Sequence, residues 1–237
     1  MGKKILKIIL IFIFGMGGGI FADQIFWPYF IERPLFYQYR LEQPPIYLTE
    51  KEEITIQENV ALQNAVEKVD KVVAGVGKKG GKITGSGVVI TSDGLVVTLA
   101  ELVPKGGDFL FFLDSGTPRY QILKRDLEKN LALVKLEEGN LPTIGFADFG
   151  QIKLGERVFL VGIGAVIQDK GLQRIVNEGI IKTFDEDSIQ TNISDKAFLN
   201  GSPLFDIEGK LVGLNVVDSD GKISAISIKK IREFAGF

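Results

Sequence analysis

Hydrophobic residues are arranged in three successive ways along this chain, and each predicts a different element. Residues 8–22 are apolar and uncharged, preceded by Ile5, Leu6 and Lys7. As a helix, 5–22 spans about 27 Å, near the thickness of a bilayer core when Lys7 snorkels. Lys3, Lys4 and Lys7 put the N-terminus in the cytoplasm by the positive-inside rule, and Trp27 and Tyr29 suit the far interface. The competing reading is a cleaved signal peptide ending Ile20-Phe21-Ala22 before Asp23, with Ile20 bulky for the position two before a cleavage-site alanine. Either reading exports the rest of the chain, as a single-pass membrane protein or, after cleavage, as a secreted one.

The second arrangement is helical spacing. Val60, Leu62, Ala65, Val66, Val69 and Val73 predict a short amphipathic helix running into a strand, followed by a flexible Lys78-Lys79-Gly80-Gly81-Lys82 loop. Between it and the apolar block, residues 23–59 read as a connector. It holds Pro28, Pro34, Pro44 and Pro45, four of the five tyrosines, and Phe26, Trp27, Phe30 and Phe36. These aromatics suit an extended arm lying on the membrane or packing on the domain, or else a contact between subunits.

From Thr84 onward the pattern is short β-rich runs separated by turn signals. Runs at 88–91 and 95–98 flank Ser92-Asp93-Gly94, a hairpin signal. Others lie at 109–113, 131–136, 158–163, 175–183, 188–191, 203–206, 211–217 and 223–228, and residues 229–237 read as helix. Many short strands without a long helix between them predict an all-β sandwich or barrel.

Composition narrows the chemistry. Hydrophobic residues make up 45% of the 237-residue chain and the formal net charge is -2, without a long basic run, so no nucleic-acid partner is expected. The chain has neither cysteine nor histidine. That excludes disulfides and thiolate metal sites, and removes the commonest general base and metal ligand. No cofactor or metal is expected.

Four motifs, in order and at consistent spacing, carry a resemblance. Gly85-Ser86-Gly87-Val88-Val89-Ile90-Thr91-Ser92-Asp93-Gly94-Leu95-Val96-Val97-Thr98 leads into Leu99-Ala100-Glu101. Asn130-Leu131-Ala132-Leu133-Val134-Lys135 comes next. Ile189-Gln190-Thr191-Asn192 then runs without a gap to Asn200-Gly201-Ser202-Pro203-Leu204, and Ala225-Ile226-Ser227-Ile228 closes the series. A further stretch, Phe146-Ala147-Asp148 through Gly155-Glu156-Arg157-Val158, accompanies them. Together they resemble the HtrA/Deg family of exported trypsin-like serine proteases over residues 60–237. The resemblance implies a trypsin-like double β-barrel: residues 1–22 anchor or signal segment, 23–59 connector, 60–140 first barrel and 141–237 second barrel. A peptide-binding PDZ domain is not expected, because the chain stops where one would continue.

The resemblance also implies that the catalytic positions are replaced. Glu101 stands at the family's histidine, Asn130 at its aspartate and Asn200 at its serine, with Phe198 at the glycine two residues earlier. Acyl transfer on this fold needs a hydroxyl, a base, an orienting carboxylate and an oxyanion hole. An asparagine amide is not a usable nucleophile, and a phenylalanine in the Phe198–Gly201 oxyanion loop disfavours positive φ and crowds the substrate carbonyl. Ser202 paired with Lys196 is a conceivable shifted nucleophile, and Glu101 with Asp126 or Asp195 a conceivable carboxylate pair. The simpler expectation is a sealed former site in which the Asn130 amide meets the Glu101 carboxylate. By the same resemblance an extended peptide would pair with the strand 211–217, at Gly213, Leu214, Asn215 and Val216, by main-chain hydrogen bonds. The function expected is therefore that of a pseudoprotease binding an extended peptide or envelope protein. The alternatives are a scaffold that oligomerises through the aromatic arm and an atypical serine endopeptidase.

Overall fold

The computed structural model describes residues 2–32, 58–80, 82–167 and 171–237. The chain divides into two compact units, Met1–Thr55 and Ile56–Phe237. In the first, helix α1 (Gly2–Phe21) continues into wider π-helical turns over Ala22–Glu32. The apolar helical stretch Gly2–Pro28 is 27 residues long, by length and composition enough to cross a membrane. Helix thus extends into what the sequence reads as connector. Pro28 lies inside it without an N–H to donate, and a widened turn accommodates such a gap better than a regular α-turn. The Phe26 and Phe30 rings stack on one face at 5.3 Å. The rest of the aromatic connector, 33–57, lies outside the described residues.

The second unit opens with α2 (Glu58–Val69), a 3-10 turn (Asp70–Val72) and β1 (Val73–Lys78). The strands β2 (Lys82–Val89), β3 (Leu95–Leu99), β4 (Leu110–Phe112), β5 (Tyr120–Asp126) and β6 (Leu131–Leu136) complete an antiparallel sheet in the order β4-β1-β2-β3-β6-β5. The remaining strands are β7 (Arg157–Ile167), β8 (Gly171–Phe184), β9 (Ser188–Ser194), β10 (Pro203–Asp206), β11 (Leu211–Val217) and β12 (Lys222–Ser227), with α3 (Ile228–Ala235) after them. These six close into a barrel. The two expected β units are present, each of six strands, but where the resemblance implies two barrels the first is a sheet left open between β4 and β5. Aromatic rings fill that seam: Tyr120 stacks on Phe109 at 4.7 Å and meets Phe111 edge-on at 5.4 Å.

The hydrophobic pattern misses β5. It is an edge strand with a bulge at Leu123, and its Gln121, Lys124 and Asp126 break any alternation. At the base of the Lys-Gly segment expected to be a flexible loop, Lys78 and Lys82 are register partners of β1 and β2. The terminal helices reach across the unit. Near the end of α2, Lys68 donates to the Glu208 carbonyl at 2.8 Å, and Val69 packs where Gly209 leaves room. The helix expected to open the first barrel therefore sits on the β10–β11 turn of the second. Conversely, Lys124 on β5 donates to the Phe234 carbonyl at 2.9 Å and lies over the Phe234 ring, tying α3 to the first sheet.

The two sheets meet at Ser86, which is fully buried on β2. Its backbone N–H donates to the Asn200 carbonyl at 2.8 Å, its carbonyl accepts from the Thr98 hydroxyl at 2.7 Å, and its Oγ accepts from the Ile163 N–H at 3.1 Å. Replacing Ser86 by alanine leaves the Ile163 N–H without its acceptor in a dry setting, which costs about 1–3 kcal/mol. The expected result is a lower thermal midpoint for Ser86→Ala, whereas exposed Lys182→Ala serves as the unchanged control.

Candidate functional site

Glu101 lies in a 3-10 turn (Ala100–Leu102) at the end of β3, and Asn130 closes the turn that leads into β6. The Leu99–Leu131 register sets the two side by side. Asn130 adopts φ 50, a left-handed conformation that asparagine tolerates. Its carbonyl accepts from the Ala100 N–H at 3.1 Å and its Oδ1 from the Glu101 N–H at 3.2 Å. Arg125 Nε donates to the Ala100 carbonyl at 3.0 Å from the other side. The expected amide–carboxylate pair is thus replaced by a different seal. The amide oxygen is spent on the Glu101 main chain, and the Glu101 side chain is exposed.

The segment at the nucleophile position is a second 3-10 turn, Ala197–Leu199. The Asn200 N–H donates to the Ala197 carbonyl at 3.0 Å, so the amide that would face an oxyanion is used inside the turn. Phe198 is half-buried and packs against the core. Among the described residues, the non-glycine positions with positive φ are Asn130 and Asn140, so Phe198 does not take the left-handed geometry that a glycine there would permit. The Asn200 side chain does not face outward either: its Oδ1 accepts from the Val217 N–H at 2.6 Å. Gly201, at φ +74, brings its backbone so close to Ser86 that an added Cβ would lie 2.2 Å from the Ser86 carbonyl oxygen. Leu102 packs into this junction, within van der Waals reach of Gly85 and Gly201, and so joins the Glu101 turn to the Asn200 loop.

The conceivable shifted nucleophile lies inside the fold. Ser202 is fully buried and its Oγ accepts from Asn215 Nδ2 at 3.1 Å. Each alternative carboxylate is occupied locally. Asp126 accepts from the Lys129 N–H, and Asp195 from the Lys196 N–H and Asn177 Nδ2. Among the described residues, no group of three or more His, Cys, Asp or Glu side chains is placed to hold a metal ion.

The candidate peptide-binding strand is closed along most of its length. Gly213 and Leu214 lie between β10 and β12. The Asn215 N–H donates to the Ser202 carbonyl at 2.9 Å and its carbonyl accepts from the Gly201 N–H at 2.8 Å. A third strand therefore finds no free main-chain group at 213–215. Gly213 makes room for β12 and not for a ligand, since a Cβ there would lie 2.6 Å from the Ile226 carbonyl oxygen. Val216 is half-buried and faces Ser224 in the register.

A concave surface lies on the other side of Glu101. A cavity of about 660 Å³ is lined by Lys78, Lys79, Thr84, Glu101, Leu102 and Phe109, with Pro104, Gly107 and Asp108 completing its wall. Motif matching points at positions in register with a catalytic template. It is blind to this cleft, whose walls come from the β1–β2 turn and the loop after Leu102. The basic Lys78-Lys79 turn is the signal available in the sequence.

A model of the trypsin-like peptidase domain matches residues 85–214. A DegP-like protein of Halomonas elongata, named as a periplasmic serine endoprotease, is 30% identical over 140 residues, covering 55% of this chain and 28% of its own length. Serine protease HTRA4 of Mus musculus is 30% identical over 167 residues, covering 64% of this chain and 33% of its own. Serine protease HTRA1 of Xenopus laevis is 31% identical over 166 residues. The chain thus spans about a third or less of the length of the first two.

The Asn200–Val217 hydrogen bond is directly measurable. Asn200→Ala removes the acceptor, so the Val217 amide should exchange with deuterium at least tenfold faster, with a stability loss of about 1 kcal/mol. Unchanged protection at Val217 would place its hydrogen bond elsewhere.

Proposed function

The chain belongs to the trypsin-like peptidase domain family, with HtrA-type relatives, and we propose that it is a membrane-anchored pseudoprotease that binds extended peptides outside the cytoplasm without cleaving them. One observation carries the reading. At the position where the family resemblance places the nucleophile, both the main chain and the side chain of Asn200 are turned inward. The N–H goes to the Ala197 carbonyl at 3.0 Å, and Oδ1 accepts from the Val217 N–H at 2.6 Å. The Asn200 N–H and Oδ1 are thus both committed within the fold, and an asparagine amide is not a nucleophile for acyl transfer. The Glu101 carboxylate is exposed, and Ser202 is buried away from a substrate. Loss of all three triad members costs a triad protease about 10⁶-fold in turnover.

Binding is separable from cleavage. The cleft beside Glu101 has an apolar floor of Leu102 and Phe109 and polar walls, which suits a peptide segment held by side-chain and rim contacts. The apolar helix Gly2–Pro28 supports anchoring, and Lys3, Lys4 and Lys7 favour a cytoplasmic N-terminus. The DegP-like relative's periplasmic name agrees with an exported second unit.

Two experiments test this. The purified full chain in detergent is expected to show neither hydrolysis of casein nor labelling by a fluorophosphonate. The triple variant Glu101→His, Asn130→Asp, Asn200→Ser is expected to stay nearly silent until Phe198→Gly is added. Hydrolysis by the unaltered chain that persists in Ser202→Ala would reject the reading. For topology, protease added to intact spheroplasts should digest residues 58–237. Protection of that unit until lysis would reverse the assigned orientation.

A further inference from the structure

The cleft beside Glu101 is ringed by charges that the fold does not use. Lys78 and Lys79 line it from the β1–β2 turn, and Lys82 stands opposite Lys78 in the hairpin register. Lys105 comes after Pro104 in the tight turn that the Gly107 N–H closes onto the Pro104 carbonyl at 3.0 Å. All four lysines are exposed or stand on the exposed turn, and the carboxylates facing the same cleft are Glu101 and Asp108. None of these six groups makes an ion pair among the described residues, whereas Lys135, Lys210, Lys229 and Lys230 each carry a carboxylate partner. The lining itself is balanced, Lys78 and Lys79 against Glu101 and Asp108, and the excess positive charge comes from Lys82 and Lys105 on the flanking turns, in a chain whose formal net charge is -2. Leu102, Pro104 and Phe109 supply the apolar surface beneath it.

Resting on the peptide-binding reading above, we propose that this cleft selects peptides in which acidic side chains flank an apolar one. The apolar side chain sits over Leu102 and Phe109, and the carboxylates meet the ammonium groups of Lys78, Lys79, Lys82 and Lys105. Exposed ion pairs of this kind are individually weak, but several acting on one ligand give selectivity and salt dependence. A basic peptide meets four like charges and finds only Glu101 and Asp108 in compensation. The selectivity resides in these lysines and not in the positions of the former triad.

The test uses the full chain in uncharged detergent and two fluorescein-labelled octapeptides. One has the sequence Ala-Glu-Asp-Leu-Val-Asp-Glu-Ala, and in the other each acidic residue is lysine. The acidic peptide is expected to bind about tenfold more tightly at low salt, the advantage shrinking severalfold at 0.5 M salt as screening shortens to a few ångströms (~4 Å). Lys78→Glu with Lys79→Glu should abolish or invert the preference while leaving the thermal midpoint unchanged, because neither lysine is paired in the fold. Glu101→Gln should increase affinity for the acidic peptide. Equal affinity for both peptides, or a preference that survives the double charge reversal, overturns the selectivity while the peptide-binding reading stands. Absence of binding by either peptide at millimolar concentration overturns both.

Discussion

The contact on which this fold turns is the approach of β2 to the loop after Leu199. Ser86 meets three partners at once: the Asn200 carbonyl, the Thr98 hydroxyl and the Ile163 N–H. They come from the two sheets and from the loop between β9 and β10. The approach is possible because side chains are missing where the backbones touch. A Cβ at Gly85 would lie 2.7 Å from the Asn200 carbonyl oxygen, and one at Gly201 2.2 Å from that of Ser86. Buried main-chain groups held this closely have no water to fall back on, so the junction keeps its geometry or the sheets separate.

That junction sets the character of the site. With the Asn200 carbonyl committed to β2, the 3-10 turn before it uses the Asn200 N–H internally, and the Asn200 amide reaches the Val217 N–H. The same polar pairing closes β11, because Gly201 and Ser202 satisfy both main-chain groups of Asn215. A strand with its edge already paired cannot recruit a peptide by strand addition. Concave, chemically varied surface is instead found where the β1–β2 turn and the loop after Leu102 diverge. There the lysines and carboxylates remain free of one another.

Much of the β architecture is readable from residue patterns. The strands at 131–136, 203–206 and 211–217 coincide with the expected runs to the residue, because each is a short apolar run bounded by turn signals. β5 is not readable, since an edge strand with one wet side and a bulge carries no clean alternation. The crossing of the terminal helices is equally hidden. The apolar faces of α2 and α3 announce that something covers them, but not that α2 meets the turn at Glu208 and α3 meets Lys124.

The candidate site divides in the same way. Which residue types stand at 101, 130, 198 and 200 is a matter of order along the chain, so the absence of a histidine, a serine at 200 and a glycine at 198 is legible without tertiary structure. What those residues do is set by partners distant in sequence. Asn130 turns its amide oxygen to the Glu101 N–H, and Ser202 is sealed by Asn215. Gly213 makes room for a neighbouring strand and not for a ligand, and Lys78 joins Glu101 across a cleft. Local propensity and periodicity record how a residue treats its near neighbours and its solvent. Hydrogen-bond direction, edge pairing and the shape of a cleft belong to segments dozens of residues apart, and take their form only when the sheets close on one another.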